Sequence, residues 1–184
     1  MRTLRALDGY KQAVLALWVL LLSALVLSFG FASPAISNTV IKGKADLVVV
    51  QKAERRLFLY QKGELLKSYR IGLGKQPIGH KQREGDSRTP EGLYTLDWRN
   101  PNSKFYRSIH ISYPNSADRK NAKEAGSSPG SLIMIHGQPT NWEERIRLTF
   151  ASPDWTEGCI AVENQDMAEI WNLVRDGTPI RINP

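Results

Sequence analysis

Three short runs near the start of the folded region place the strongest constraint on the fold of this chain of 184 residues. The runs LVVVQK, RLFLYQK and LLKSYRI, which begin at Leu47, Arg56 and Leu65, are rich in β-branched and aromatic residues. Such residues favour strands, and Lys62-Gly63 between the second and third runs is a turn signal. The sequence therefore predicts a β-meander at the start of the domain.

Further strand and helix signals follow a long loop. The loop KQREGDSRTPEG runs from Lys81 to Gly92, and the runs LYTLDW, SIHISYP and SLIMIHG behind it have strand composition. Helical spacing occurs only late, in residues 140–150 and 164–174. The sequence therefore predicts a mostly β domain with one or two short helices, and helical turns within the polar insertion 115–130.

The N-terminal segment differs from the rest of the chain. Residues 13–32 carry no charge, and three basic residues and one acid precede them. A run of this length spans a bilayer core as a helix, with its basic flank in the cytoplasm. We therefore expect residues 1–32 to be a signal peptide or an uncleaved signal anchor, residues 33–45 a linker, and residues 46–184 the folded domain, located in the cell envelope.

The chain is basic, with a formal net charge of +7 at pH 7. A cationic surface suits an anionic cell-wall polymer, an anionic membrane surface or nucleic acid, and it equally serves solubility. No dense Lys/Arg run with interleaved aromatic residues is present, which leaves the solubilising role open. The predicted export makes nucleic acid the least suitable of these partners. With one cysteine and no short histidine spacing, the sequence predicts neither a metal site nor a cofactor.

The lone cysteine, Cys159, is the first candidate for chemistry. It follows Gly158 and opens an apolar run, which places the thiol where a loop enters a strand. Because glycine has no Cβ, a substrate carbonyl can approach beside the sulfur, and nearby backbone N–H groups can hold an oxyanion. A free cysteine is also among the most often buried residues, so the local sequence leaves both an inert and a reactive thiol open.

His136 favours the reactive alternative. It ends the apolar run Ile133-Met134-Ile135 and precedes Gly137, so its imidazole leaves a strand where the chain opens into a loop. A neighbouring imidazole can take the proton of a thiol, which makes cysteine and histidine a minimal nucleophile and base. From such a pair we expect a thiol with a lowered pKa, although the separation along the sequence permits convergence without requiring it.

Several segments resemble the L,D-transpeptidase catalytic-domain family. Ile135-His136-Gly137 and the stretch DWTEGCIAV over residues 154–162 resemble the signature of its branch with a DWTxGC motif. Residues 85–94 (GDSRTPEGLY), residues 110–115 (HISYPN) and residues 164–171 extend the resemblance. The resemblance therefore covers nearly the whole predicted domain.

This resemblance implies both a fold and a chemistry. It implies a mostly β, sandwich-like catalytic domain that acts on peptidoglycan stem peptides at the bond after a diaminopimelate residue. The family cysteine forms a thioester and passes the acyl group to an amine or to water. By position, Cys159 corresponds to the nucleophile and His136 to its paired histidine, while Gly137, Thr156 and Gly158 correspond to the acyl pocket or the oxyanion donors.

Two positions depart from the family pattern. Glu157 stands where many members carry a histidine, and Ala161 stands where they carry an arginine. We predict Arg88, Arg145 or Arg147 as the substitute for that anion-holding arginine. The departures leave open whether the acyl acceptor is a wall strand, a wall-linked protein or water.

His110 is a second histidine of interest. In the predicted strand, its side chain shares a face with those of Ser108 and Ser112. It is either a substrate contact or a hydrogen-bonded structural residue, and the sequence does not choose between the two.

Three functions are consistent with these residues. The leading one is an exported L,D-transpeptidase that uses neither metal nor cofactor, with an uncleaved N-terminal helix contacting the inner membrane. The second is a hydrolase, either an L,D-carboxypeptidase or an amidase that releases a peptide or a wall-linked protein. The third is a non-catalytic wall-binding module, against which the intact pair of Cys159 and His136 argues.

Overall fold

The structure, a computed structural model, describes residues 43–149 and 152–184. The predicted signal segment 1–32 and most of the predicted linker lie outside the described residues. None of the helices in the described ranges has the length and apolar character that a membrane span requires.

The described residues form a mostly β domain, as predicted. Eight strands are present within them: β1 (Leu47–Gln51), β2 (Arg56–Gln61), β3 (Glu64–Arg70), β4 (Gly92–Ser103), β5 (Tyr106–Ile111), β6 (Met134–His136), β7 (Ile160–Ala161) and β8 (Thr178–Asn183). The helices in the same ranges are α1 (Ser116–Glu124), α2 (Trp142–Thr149) and α3 (Asn164–Leu173).

Helix α1 makes the predicted number of one or two helices wrong. The Asn115 side chain accepts hydrogen bonds from the N–H groups of Ala117 and Asp118 at 2.9 and 3.0 Å. The Asp118 carboxylate in turn accepts the N–H of Asn115 at 2.9 Å, which completes a capping box. This box satisfies the N–H groups at the start of the helix, so a short polar helix forms where hydrophobic spacing gives little signal.

All eight strands of the described ranges belong to one sheet, in the order β3-β2-β1-β8-β4-β5-β6-β7. The predicted meander forms the antiparallel set β1 to β3. After β3, the chain crosses to the opposite edge, where Gly72 bridges to Ala161 and Gly74 bridges to Thr156. In place of the expected sandwich-like arrangement, the described residues form a single curled sheet, and bridges from the segment after β3 to the β7 region bring its two edges together.

The core lies inside the curl of the sheet and is closed by α3. Alternate residues of β1 and β2 are fully buried, namely Val48 and Val50 in the first strand and Leu57 and Leu59 in the second. Each buried aliphatic side chain of this kind contributes about 2 kcal/mol to folding. A slip of one residue would turn this whole set toward solvent, so burial fixes the register of the strands.

Lys52 fastens the long loop to the sheet. Its side chain is fully buried, and its Nζ donates to the carbonyls of Gly79 at 2.7 Å and Thr89 at 3.1 Å. The same Nζ pairs with Glu91 Oε1 at 2.6 Å. Burial lowers the pKa of Lys52, and the hydrogen bond to Glu91 opposes this effect. The loop is thereby held at two points next to the strand that follows it.

Asp154 fastens the segment that leads to Cys159. Arg55 donates from Nε and Nη2 to the two carboxylate oxygens at 2.8 to 3.0 Å. The N–H of Leu73 donates to the same carboxylate at 3.0 Å. A bidentate charged pair of this kind fixes orientation as well as distance, so the segment before the cysteine has a defined path.

Candidate active site

Neighbouring parallel strands bring Cys159 and His136 to one pocket. In the pairing of β6 with β7, His136 lies opposite Ala161. Cys159 is two residues before Ala161 and is therefore level with Met134, two residues before His136. Because side chains alternate along strands and match across a register, the thiol and the imidazole point to the same face of the sheet.

The pocket that they share has a volume of about 300 Å³ and is mostly apolar. Its other lining residues are Trp98, Asn100, Ser103, Lys104, Phe105, Ser108, Leu132 and Met134. Apart from the two candidate catalytic residues, Lys104 is the ionisable side chain of this set. Of these eight residues, Ser108 was expected only to share a face with His110, and the other seven had no predicted role in the site.

His136 is buried, and its tautomer is fixed. Its Nδ1 lies 2.7 Å from the carbonyl oxygen of Gly137. Because a carbonyl only accepts hydrogen bonds, Nδ1 carries the hydrogen and Nε2 keeps its lone pair. Phe105 stacks on the imidazole with 4.6 Å between ring centroids, and Trp155 meets it edge-on at 5.5 Å. Gly137 thus contributes a carbonyl that orients the imidazole.

The environment of His136 keeps the imidazole neutral. Burial lowers its pKa from 6.5 to about 4, and the positive charge of Lys104 acts in the same direction. The hydrogen bond to Gly137 opposes the shift but does not cancel it. At neutral pH, therefore, His136 is an unprotonated base.

Cys159 is also neutral in this arrangement. Its partly exposed Sγ lies 3.7 Å from the carbonyl oxygen of Leu132, which accepts the S–H hydrogen. Burial raises the pKa of the Cys159 thiol, against weaker lowering by the backbone of Met134 and the charge of Lys81. The expectation of a lowered thiol pKa is therefore wrong here, because desolvation outweighs the stabilisation of the thiolate.

Leu132 has an unusual backbone at the rim of the pocket. Its φ is 59°, in the left-handed region, which costs a residue with a Cβ about 1 kcal/mol. Its side chain is 63% exposed, although it is a large hydrophobic residue. The strained conformation directs the Leu132 carbonyl to the thiol of Cys159.

Thr156 closes the loop in front of Cys159. Its Oγ1 donates to the Cys159 carbonyl at 2.7 Å and accepts the N–H of Gly158 at 3.1 Å. Gly158 has a φ of 129°, and a Cβ there would lie 2.5 Å from the carbonyl oxygen of Arg88. The Gly158 N–H is therefore occupied, whereas the N–H of Cys159 has no acceptor in the described part of the chain.

His110 does not line the pocket. Its Nδ1 lies 2.7 Å from Asp97 Oδ1, and its ring stacks on Trp98 with 4.8 Å between centroids. Of the two roles left open by the sequence, this position matches the hydrogen-bonded structural histidine. It reaches the pocket only through the indole of Trp98.

The three arginines considered as anion holders also lie outside the pocket. The side chain of Arg88 lines a separate polar pocket together with Arg83. Arg145 donates from Nε to the Pro139 carbonyl at 3.3 Å, and Arg147 lines a surface depression on α2. None of the three lines the pocket of Cys159, whereas Lys104 does.

The two positions that depart from the family pattern have structural partners. Glu157 is exposed, pairs with Lys75 and accepts the Ser87 hydroxyl at 2.5 Å, and these contacts lower its pKa. Ala161 is 2% exposed in the seam of the sheet, where its N–H and carbonyl both bond to Gly72 at 2.9 and 2.8 Å. Within the described residues, no group of acidic, histidine and cysteine side chains is placed to hold a metal ion.

Comparisons with known proteins agree on one relationship. The family model of YkuD, the L,D-transpeptidase catalytic domain, matches residues 45–182. The chain is 36% identical over 141 residues to "Putative L,D-transpeptidase YafK" of Escherichia coli strain K12. This match covers 73% of the chain and 49% of YafK, so the chain spans about half the length of the curated relatives that it matches.

Solved structures share the architecture. Pgp2 of Campylobacter jejuni, a helical cell shape determining protein, aligns with a TM-score of 0.56 at 27% identity, over 77% of this chain and 48% of Pgp2. Bd1075 of Bdellovibrio bacteriovorus aligns with a TM-score of 0.53 at 24% identity and over the same shares. The second likeness concerns the fold alone.

Proposed function

We infer that this chain, which belongs to the YkuD family of L,D-transpeptidase catalytic domains, forms a cysteinyl thioester with diaminopimelate-containing peptidoglycan stem peptides. The observation that carries this proposal is the shared pocket of Cys159 and His136, in which the imidazole keeps an acceptor nitrogen. Similarity to Pgp2, a cell-shape protein, supports a role in the cell wall.

The reaction begins from an uncharged pair. As Sγ of Cys159 bonds to the substrate carbonyl carbon, the thiol proton leaves the Leu132 carbonyl and moves to Nε2 of His136. The Nδ1–H of the resulting imidazolium stays on the Gly137 carbonyl. Burial disfavours this imidazolium by itself, so its formation depends on the negative charge that develops on the substrate oxygen beside it.

The backbone supplies the group that receives this oxygen. We propose the N–H of Cys159 as the oxyanion donor, because the N–H of Gly158 already donates to Thr156. Gly158 and Thr156 then act by shaping the loop, and Gly137 acts through its carbonyl. Removing one oxyanion donor from such a site costs about a hundredfold or more in rate.

The remaining steps complete the thioester and then free the enzyme. His136 returns its proton to the leaving amine as the tetrahedral intermediate collapses to the thioester. An acceptor amine then attacks the thioester carbonyl, gives a proton to His136 and frees the Cys159 thiolate, which takes that proton back. Stem peptides are thus both donors and acceptors, and an amine of a wall-linked protein is the other candidate acceptor.

Hydrolysis is the second candidate function. The thiol of Cys159 is partly exposed and its pocket is open to solvent, so water can reach the thioester. Water as acceptor would make the protein an L,D-carboxypeptidase or an amidase that releases a wall-linked protein. We also propose that the domain works in the cell envelope, either anchored by residues 13–32 or released after their cleavage.

Mass spectrometry of isolated peptidoglycan incubated with the full chain tests these proposals. Transpeptidation yields new cross-links, carboxypeptidase activity yields shortened peptides, and amidase activity yields released protein. Cys159→Ala is expected to abolish all three products and the covalent adduct with a carbapenem, and His136→Gln is expected to reduce them strongly. Unchanged products from Cys159→Ala, with a native circular dichroism spectrum, would contradict the mechanism. Absence of all three products and of the carbapenem adduct with the wild-type chain would leave the non-catalytic wall-binding module.

A further inference from the structure

A cationic side chain stands at the entrance of the Cys159 pocket without a carboxylate partner. Lys104 lies in the turn between β4 and β5 and lines the pocket. None of the ion pairs within residues 43–149 and 152–184 includes it. Its Nζ lies 5.1 Å from the centroid of the Phe105 ring, and that ring stacks on His136. The charge is therefore one aromatic ring away from the proposed base.

The turn that carries Lys104 is fixed on the backbone side. The Lys104 carbonyl accepts the N–H of Thr140 at 2.9 Å and its hydroxyl at 3.0 Å. The N–H of Phe105 donates to the Ser103 hydroxyl at 3.1 Å, and Tyr106 has a φ of 67°. A strained, tethered turn with one exposed lysine is a scaffold that fixes the position of the stem of this side chain.

We propose that Lys104 binds a carboxylate of the acyl donor beside the scissile bond and so selects donors that carry a negative charge there. This inference deepens the proposed function and rests on it for the identity of the donor. The pocket is otherwise apolar along Trp98, Leu132 and Met134, so the ammonium group is its anchor for an anion. Arg88 and Arg147 line other depressions and are not among the residues that line this pocket.

A bound carboxylate would also change the base. The ionisable groups of the pocket besides His136 are Lys104 and Cys159, and the charge of Lys104 disfavours protonation of the imidazole. Pairing Lys104 with a carboxylate cancels this repulsion at the moment when His136 must accept the thiol proton. A charged donor is therefore expected to raise kcat as well as to lower KM.

Two alkylating agents test the anchor directly on the full chain. Iodoacetate carries a carboxylate and iodoacetamide is its neutral counterpart, and both form a thioether with Cys159 and release iodide. The rate of alkylation by iodoacetate divided by the rate with iodoacetamide is expected to fall about fivefold in Lys104→Gln, as for loss of one exposed ion pair. The same ratio is expected to be retained in Lys104→Arg. Lys123→Gln, which removes an exposed lysine of α1, is the matched control and should leave the ratio unchanged. An unchanged ratio in Lys104→Gln overturns the proposal.

Donor peptides then connect the anchor to catalysis. Two synthetic stem tetrapeptides are compared, with the diaminopimelate side-chain carboxylate free or amidated. The wild-type chain should use the free acid on the order of tenfold better in kcat/KM, and Lys104→Gln should remove this preference while Lys104→Arg keeps it. A preference that survives in Lys104→Gln counts against the anchor. Absence of turnover by the wild-type chain counts against the proposed function alone, because the alkylation ratio still decides the role of Lys104.

Discussion

The buried imidazole of His136 makes a quantitative prediction about stability. The pKa of this residue falls from 6.5 to about 4 in the folded chain, mainly because of burial. The unfolded chain therefore takes up a proton first as the pH falls. The contribution of His136 to stability is complete above about pH 6.5 and is lost as the pH falls toward 4, by roughly 3 kcal/mol in total at about 1.4 kcal/mol per pKa unit. By pH 5 the loss should be roughly 2 kcal/mol.

Comparison with His136→Gln isolates this contribution. Glutamine is polar and of similar size, but it does not titrate, so the other ionisable groups contribute equally to both chains. Urea unfolding followed by tryptophan fluorescence at pH 7 and pH 5 gives the free energy of unfolding of each. The wild-type chain is expected to lose roughly 2 kcal/mol more than the variant between these pH values.

Parallel loss of stability in the two chains would refute the reasoning. It would mean that the imidazole is hydrated in the folded state and does not resist protonation. A larger loss of stability in the variant would also refute the reasoning, because it requires a His136 pKa that is raised rather than lowered in the folded chain. The acid limb of the activity profile provides an independent reading and should lie near the lowered pKa rather than near that of a free imidazole.

Three further predictions concern the residues around this pair. Gly158→Ala should reduce turnover on the order of a hundredfold, since its Cβ would meet the Arg88 carbonyl and displace the nucleophile; full activity in the peptidoglycan assay would contradict this. Lys52→Met should cost about 3 kcal/mol in urea unfolding because Glu91 loses its partner, and adding Glu91→Gln should restore part of that loss. Alkylation of Cys159 by iodoacetamide should keep accelerating up to pH 9, the ordinary thiol value, and a plateau near pH 7 would indicate a thiolate instead.

Local composition was sufficient to predict the strands of the meander and to select Cys159 and His136, which line one pocket. The runs that form β1 to β3 carry their own signal in β-branched and aromatic residues, and glycines next to His136 and Cys159 mark both as strand-end positions. Helix α1 was underestimated because its stability lies in the capping box between Asn115 and Asp118 rather than in hydrophobic spacing. That signal is present in the sequence, as an asparagine followed three residues later by an acid.

Lys104 carries no comparable signal. In the sequence it is one polar residue of a turn between two strands, and such lysines are ordinarily solvated. Its position over the pocket arises because β5 pairs with β6, which folds the β4–β5 turn across the end of the strand that bears His136. The arginines predicted for the anion-holding role lie near the motifs in the sequence, whereas the cationic side chain that lines the pocket belongs to the β4–β5 connection.

The protonation state of Cys159 shows that a neighbouring histidine does not by itself make a cysteine a thiolate. A histidine beside a cysteine stabilises a thiolate only if the imidazole can hold a proton. The buried imidazole of His136, with Phe105 stacked on it and Trp155 edge-on to it, does so poorly. The pair then gains charge only when the substrate brings the compensating oxyanion and, as proposed, a carboxylate on Lys104. A site built in this way holds little thiolate at rest near neutral pH. As proposed, it acquires its base strength from the donor that it binds.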